Sequence, residues 1–246
     1  MNRNPKMKFS LLLVGLLGTS VAFAAPPAPK AQGIESEGYT WNAQEGEKLE
    51  ALGFTGDIAN GEEAYEICGA CHLPSGAGRP DGTFPQLAGQ HTTVLIKQMA
   101  DIRAGLRDNP TMYPFAVSLI DPQELADVAT YIESLCIPVE HGKYEGADAA
   151  LQINHGKQLY EKQCLECHGK NGEGNKEKFY PVIAGQHYKY LLRQMTDIRD
   201  GRRRNANPDM VKVIKPYTNE DLVAISAYQS SLTMPGSMCK PKAAKK

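Results

Sequence analysis

Four cysteines and two histidines stand at spacings that can do chemistry: Cys68-Gly69-Ala70-Cys71-His72 and Cys164-Leu165-Glu166-Cys167-His168. C-x-x-C-H is the attachment sequence of c-type haem. Thiols at i and i+3 share one side of a helical turn, so each can add to one vinyl group of the porphyrin. The histidine directly after them then lies below the ring and ligates the iron. A bare C-x-x-C would serve equally as a redox dithiol or as half of a zinc site. The following His and the second copy favour two covalently bound haem c groups instead.

Opposite the histidine, haem iron can take Met, His, Cys or nothing, and that choice sets its chemistry. Of the eight methionines, Met1 and Met7 fall in a segment expected to be removed, and Met234 and Met238 have no counterpart near the first motif. Two repeated pairs remain. Met99 and Met195 sit on an apolar helix stripe, where Met is an ordinary gap-filler. Met112 and Met210 sit in polar, proline-containing connections, Asn109-Pro110-Thr111-Met112 and Asn207-Pro208-Asp209-Met210. No helical face accounts for a Met there, whereas a loop crossing the far side of the haem does. Met112 and Met210 are therefore the expected axial ligands. His91 and His187 also repeat, so bis-His ligation is the competing arrangement, although their Ala-Gly-Gln-His setting at a helix start reads as polar surface. His141 and His155 are unrepeated and read as solvated. Two thioether ligands would close both irons, favour Fe(II), and suit outer-sphere electron transfer better than substrate chemistry.

The elements that must position these groups occur twice. The cysteine motifs are 96 residues apart, and Phe84 to His91 matches Tyr180 to His187 at the same offset, as Gln98 to Arg103 matches Gln194 to Arg199. The offset grows to 97 at Tyr131/Tyr228 and Leu135/Leu232, and is 98 at Met112/Met210. This is a tandem duplication of one fold. Each unit reads as three helices. The first leads into the haem motif, over 61–68 and 156–164. The second starts near His91 or His187, with Leu95, Met99 and Ile102, or Leu191, Met195 and Ile198, on one face. The third opens at Asp121 with Pro122 and Glu124, or at Thr218 with Asp221, and its apolar face in unit one is Leu125, Val128, Ile132 and Leu135. No segment alternates as a strand, so the expected class is all-α. Units of about 80–90 residues have marginal cores, and a covalently held macrocycle supplies apolar surface that the chain lacks.

Arg3, Lys6 and Lys8 precede an uncharged apolar run, Phe9 to Val21, and then Ala22-Phe23-Ala24. That is the pattern of a secretory signal, with cleavage expected after Ala24. The run falls short of the roughly 20 residues that span a bilayer, so no membrane span is expected once it is removed. Lys+Arg 27 against Asp+Glu 28 gives −1 for the 246 residues, and loss of the three signal cations leaves −4. Nothing in that balance suggests a nucleic-acid partner. Gly169 to Gly174 is glycine-rich but lacks the strand and Lys-Ser/Thr of a phosphate loop, so it reads as a turn. Arg202-Arg203-Arg204 reads as a solvated face, or as a means of steering an acidic partner.

From Ala59 to Leu232 the chain resembles the di-haem cytochrome c4 family, two class I cytochrome c domains in tandem. The resemblance rests on both C-x-x-C-H motifs, Pro85 to Gln90 and its copy, the Gln-Met-x-Asp-Ile-Arg-x-Gly stretches, the Met connections and the final helix. It implies a periplasmic electron carrier rather than an enzyme, with each small helical domain wrapped around one haem. It also implies that the carbonyls of Pro85 and Pro181 accept from the ring N–H of His72 and His168. The resulting division is 1–24 signal, 25–57 N-terminal extension, 58–138 first domain, 139–149 linker, 150–234 second domain and 235–246 Lys-rich tail. Three features depart from the family pattern: the extension with its single Trp41 and a short helix over 45–52, the tail, and the spare Cys136 and Cys239. In an oxidising compartment those two are expected to form a disulfide between tail and linker, with free thiols or an intermolecular bridge as alternatives. The expected function is electron transfer between a respiratory donor and a terminal reductase or oxidase. The alternative is the haem subunit of a periplasmic oxidoreductase acting on a sulfur compound, docked through the extension. A di-haem peroxidase would need an open iron, which two equivalent methionines disfavour.

Overall fold

The computed structural model describes residues 28–119, 121–138, 141–234, 236 and 238–239. The expected signal, its cleavage point and most of the Lys-rich tail lie outside them. Five helices form the first unit: α1 (Gly46–Gly53), α2 (Ile58–His72), α3 (Thr92–Arg103), α4 (Tyr113–Ala116) and α5 (Pro122–Ser134). Five form the second: α6 (Ala149–Gln163), α7 (Leu165–His168), α8 (Tyr188–Arg199), α9 (Pro208–Ile214) and α10 (Asn219–Ser231). Two-residue strands β1 (Ile137–Pro138) and β2 (Met238–Cys239) pair in parallel and return the tail to the connection after α5. The all-α expectation holds.

The helix starts follow local chemistry. Asp121 accepts from the Glu124 N–H at 2.9 Å with Pro122 at the first helical position of α5. Thr218 and Asp221 close a reciprocal capping box on α10, at 3.1 and 3.0 Å, which satisfies two N–H groups that a helix cannot pair internally. In each unit the helix that leads into the cysteine motif crosses the last helix, α2 on α5 and α6 on α10. The crossings meet at glycine: a Cβ on Gly61 would run into the Asp127 carbonyl, and one on Gly156 into the Ala224 carbonyl.

The first helix is longer than its apolar pattern suggests and runs through the whole motif in unit one. In unit two it breaks at Cys164. Gly156 lies eight residues before Cys164, whereas Gly61 lies seven before Cys68. With the glycine held at the crossing, the extra residue rotates the motif by about 100°, and the break at Cys164 absorbs it.

The run Arg202–Arg204 is not the solvated face expected of it. Only Arg202 is exposed; Arg204 is buried. The Arg204 guanidinium bonds Glu35 at 2.7 Å, the Gly105 carbonyl at 3.3 Å and the Ala31 carbonyl, while its own carbonyl accepts from the Ile34 N–H at 2.8 Å. The N-terminal extension is thus a strap across both units, and α1 packs on α3 and α5. Where the strap meets unit one, Asp101 is buried between Lys97 and Lys48 and accepts from Asn205 at 2.8 Å.

Burial holds the Lys97 ammonium down to about 8, against the pull of Asp101. An unfolded chain keeps that proton to about 10.4. Between these values the unfolded state binds more protons, so stability rises with pH across that window. The denaturation midpoint of the parent, compared with Lys97→Met, is therefore expected to climb from pH 8 to pH 10. A constant difference would refute the assignment.

Candidate functional site

Two cavities, of about 470 and 230 Å³, lie in units one and two. Cys68, His72, Pro85, Met99 and Met112 line the first; Cys164, Cys167, His168, Pro181, Met195 and Met210 line the second. The structure thus brings each cysteine–histidine motif to a cavity that also holds both candidate methionines of its unit. Met99 packs on the core of Leu95, Leu125 and Val128, and Met195 is buried with Leu222 and Ile225, as gap-filling side chains do. Met112 is the N-cap of the single turn α4. Met210 is not in a loop, as its surroundings suggested, but inside α9, which Asn207 caps and Pro208 opens.

His72 is buried, and its Nδ1 lies 2.9 Å from the Pro85 carbonyl. That contact places the ring proton on Nδ1 and leaves Nε2 with its lone pair. Nε2 is buried without a hydrogen-bond partner among the described residues, a cost of about 1–3 kcal/mol unless something ligates it. Burial lowers the basicity of both His72 and His168, with the Pro85 and Pro181 carbonyls opposing. The second contact is looser, since His168 Nδ1 makes no well-aligned hydrogen bond. Burial pushes the Cys68 thiol up to about 11 and Cys164 up to about 12. Thiols so held are protonated at neutral pH, which suits neither a zinc thiolate nor a nucleophilic dithiol. An unpartnered imidazole nitrogen, neutral thiols, a thioether and apolar walls fit a haem.

The residue after each histidine has positive φ: Gly169 at 77°, but Leu73 at 66° with ψ 152°. That region is essentially glycine-only and costs about 1–3 kcal/mol for another residue. Both residues are held by a tyrosine hydroxyl on their carbonyl, Tyr65 at 2.9 Å and Tyr160 at 2.7 Å. Leu73→Gly is expected to stabilise unit one by about 1 kcal/mol with its haem spectrum unchanged, in guanidinium titrations followed at the Soret band. A loss of stability would show that Leu73 packing outweighs the backbone strain.

Between the units runs a reciprocal set of contacts. Gln90 bonds both main-chain groups of Val182 at 2.9 Å, and Gln186 bonds both of Gln86 at 3.0 and 2.9 Å. His91 Nε2 reaches the Glu173 carbonyl and His187 Nε2 the Ala77 carbonyl, each at 2.9 Å. All four partners obey the 96-residue offset, so the interface is a pseudo-two-fold. His187 is not at a polar surface as expected: it is buried, and burial keeps it neutral, with Nε2–H donating and Nδ1 accepting from Gly142 at 3.1 Å. His141 is partly buried rather than solvated, its Nε2 2.7 Å from the Ser230 carbonyl. His155 stays half-exposed, 3.7 Å from Asp221. On the axis, Gly89 and Gly185, at φ 70° and 72°, both abut Ile137, where a Cβ would clash. Ile137, assigned by position to the first domain, is fully buried in the core of the second.

Gln98, Arg107, Gln186, Tyr190, Gln194 and Arg203 line both cavities and form their common wall. Arg203 bonds Gln194 and Gln98 at 3.0 Å, and Arg107 bonds Gln98 at 2.8 Å and Gln194 at 3.3 Å. Burial, then Arg107, draws the Arg203 guanidinium down to about 10, still charged at neutral pH. Burial works against ionisation of Tyr190, yet Arg107 and Arg203 bring its phenol below the ordinary value. Sequence reading missed this wall; the repeated Gln-Met-x-Asp-Ile-Arg stretch was its only signal.

The family model described as Cytochrome c matches residues 58–136 and 153–233. Cytochrome c4 of Azotobacter vinelandii is 35% identical over 190 residues, covering 72% of this chain and 90% of that protein. The thiosulfate dehydrogenase electron acceptor of Stutzerimonas stutzeri strain A1501 is 30% identical over 192 residues, covering 72% of this chain and 88% of that protein. The crystal structure of reduced recombinant cytochrome c4 from Pseudomonas stutzeri superposes with a TM-score of 0.63 at 31% identity, over 73% of this chain and 100% of that one.

Proposed function

The chain belongs to the di-haem cytochrome c4 family of electron carriers, and on that premise we propose that it shuttles electrons in the periplasm between a respiratory donor and a terminal reductase or oxidase. It binds two covalently attached haem c groups, each of which supplies a one-electron Fe(III)/Fe(II) couple. No helix among the described residues is long and apolar enough to cross a membrane.

In this reading Cys68 and Cys71, and Cys164 and Cys167, tie the two macrocycles to the chain. His72 and His168 are the proximal ligands. The Pro85 carbonyl holds the Nδ1 proton of His72, which fixes the tautomer and raises the basicity of the ligating Nε2; the Pro181 carbonyl opposes burial at His168 through a looser contact. Met112 and Met210 supply soft, neutral sulfur on the far side, favouring Fe(II). Arg107 and Arg203, half-buried with amide and phenol partners but with no ion pair among the described residues, offer positive charge to the porphyrin carboxylates. Cys136 and Cys239 form the disulfide that joins linker and tail. In support, β1 pairs with β2 so that Pro138, two residues after Cys136, lies opposite Cys239.

The observation that carries the carrier reading is the shared wall between the two cavities, which supports direct electron transfer between two neighbouring redox centres. The relative named as a thiosulfate dehydrogenase electron acceptor favours a second reading, an electron-accepting subunit of a sulfur-oxidising enzyme. The extension, however, folds inward as a strap rather than standing free to dock. Size-exclusion of a periplasmic extract separates the two: a carrier elutes alone with two haems per chain, whereas a subunit co-elutes with a partner oxidoreductase. Absence from the periplasmic fraction would overturn both.

A further inference from the structure

The strap lies outside both segments that match the cytochrome c family, yet it does more than join the units. Its unit-one contacts are the Ala31 N–H to the Gly105 carbonyl at 3.0 Å, Glu47 to Arg103 at 2.8 Å and Lys48 to Asp101 at 3.5 Å. Its unit-two contacts are Glu35 and Ile34 with Arg204, and the Tyr39 hydroxyl with the Ala206 carbonyl at 3.3 Å. Between these anchors it lays Trp41 into the wall of the second cavity, alongside Asn205, Ala206 and Met210. The other partner of the indole belongs to unit one: the Lys97 ammonium stands 5.4 Å from the ring centroid. No described residue of the strap lines the first cavity.

We propose that Trp41 is a positioning residue for the second redox centre alone, closing its cavity to water on the methionine side and thereby raising its potential. This rests on the reading that the second cavity holds a haem with Met210 as ligand. The oxidised iron centre carries one more positive charge than the reduced one. Water stabilises the more charged state, so a wall that keeps water out favours Fe(II). An indole is suited to that place because it covers a large apolar area, while its face tolerates the ammonium of Lys97 behind it. The two units repeat one fold, so a segment that touches only one cavity acts on one of two related centres.

The test is a spectroelectrochemical titration of the holoprotein and its Trp41→Ala and Trp41→Phe variants. One of the two midpoints is expected to fall in Trp41→Ala, with the other unmoved, and to recover most of the shift in Trp41→Phe. A Met112→His background identifies the centre, because the ferric thioether band then reports the second haem alone, and its midpoint must be the one that falls. Unchanged midpoints would overturn the proposal. So would equal movement of both, which would assign the strap to the geometry between units instead. If the Met112→His protein lacked the thioether band, the Met210 assignment would fail. The two-wave titration of Trp41→Ala would still decide whether the strap acts on a single centre.

Discussion

Met112→Ala and Met210→Ala are each expected to abolish the thioether charge-transfer band of one haem and leave the other intact, with the double variant losing both. The potential of the altered centre should fall by tenths of a volt, within the ~0.8 V that axial ligands span. The cause is the loss of a neutral sulfur that stabilises Fe(II), with water free to take the vacated side. The control is internal. Met99 and Met195 line the same cavities, but each is embedded in a core cluster. Met195→Ala should cost about 2–5 kcal/mol of stability and keep both bands. Near-infrared absorption and redox titration of the four single variants distinguish the pairs. Bands lost with Met99 or Met195 instead would transfer the ligand role to α3 and α8.

The second large effect is expected at the glycine crossings. Gly61→Val or Gly156→Val must force α2 from α5, or α6 from α10, because the new side chain would occupy the space of the Asp127 or Ala224 carbonyl. Backbone cannot swing away as a side-chain tip can, so the cost should reach or exceed about 3 kcal/mol. In units this small that is a large part of the total stability, and loss of haem from the affected unit should follow. Haem per chain by pyridine haemochrome, together with the denaturation midpoint, measures this. Gly53→Ala is the comparison: Gly53 closes α1 with nothing within 4 Å of an added Cβ, and stability should hold or rise slightly. Equal effects of Gly53→Ala and Gly61→Val would mean that the crossing is not the reason for glycine.

Much of this protein is legible without coordinates because the chemistry concerned is local. The haem motifs need only five consecutive residues on a helical turn. The 96-residue offset shows two copies of one fold, and α3, α5, α8 and α10 follow from apolar spacing and capping residues within a turn of their starts. The helical setting of Met210 was hidden by its polar neighbours, although Asn207 and Pro208 are themselves a cap and a first helical residue. There the local signal existed and the surrounding polarity outweighed it.

The remainder was decided by which surfaces the two copies present to each other. His91 and His187 read as polar surface groups at the starts of their helices. Only when a pseudo-two-fold brings the copies face to face do they and the adjacent Gln90 and Gln186 meet reciprocal partners, with His187 and Gln186 buried. Arg203 and Arg204 read as solvated in a run of three cations, because no acidic residue stands within a few positions of them on the C-terminal side. Their partners are Gln98 and Glu35, distant in sequence. The role of Trp41 likewise depends on a strap that crosses both units. Sequence by itself determined the cofactor motifs, the duplication and the helical class, since each is written over a few residues or a fixed repeat. The wall between the cavities, the inward path of the extension and the inequality of the two sites came only with tertiary structure, because a buried polar group is defined by what packs on it, and deciding contacts such as Arg203 with Gln98 and Arg204 with Glu35 join residues 105 and 169 positions apart.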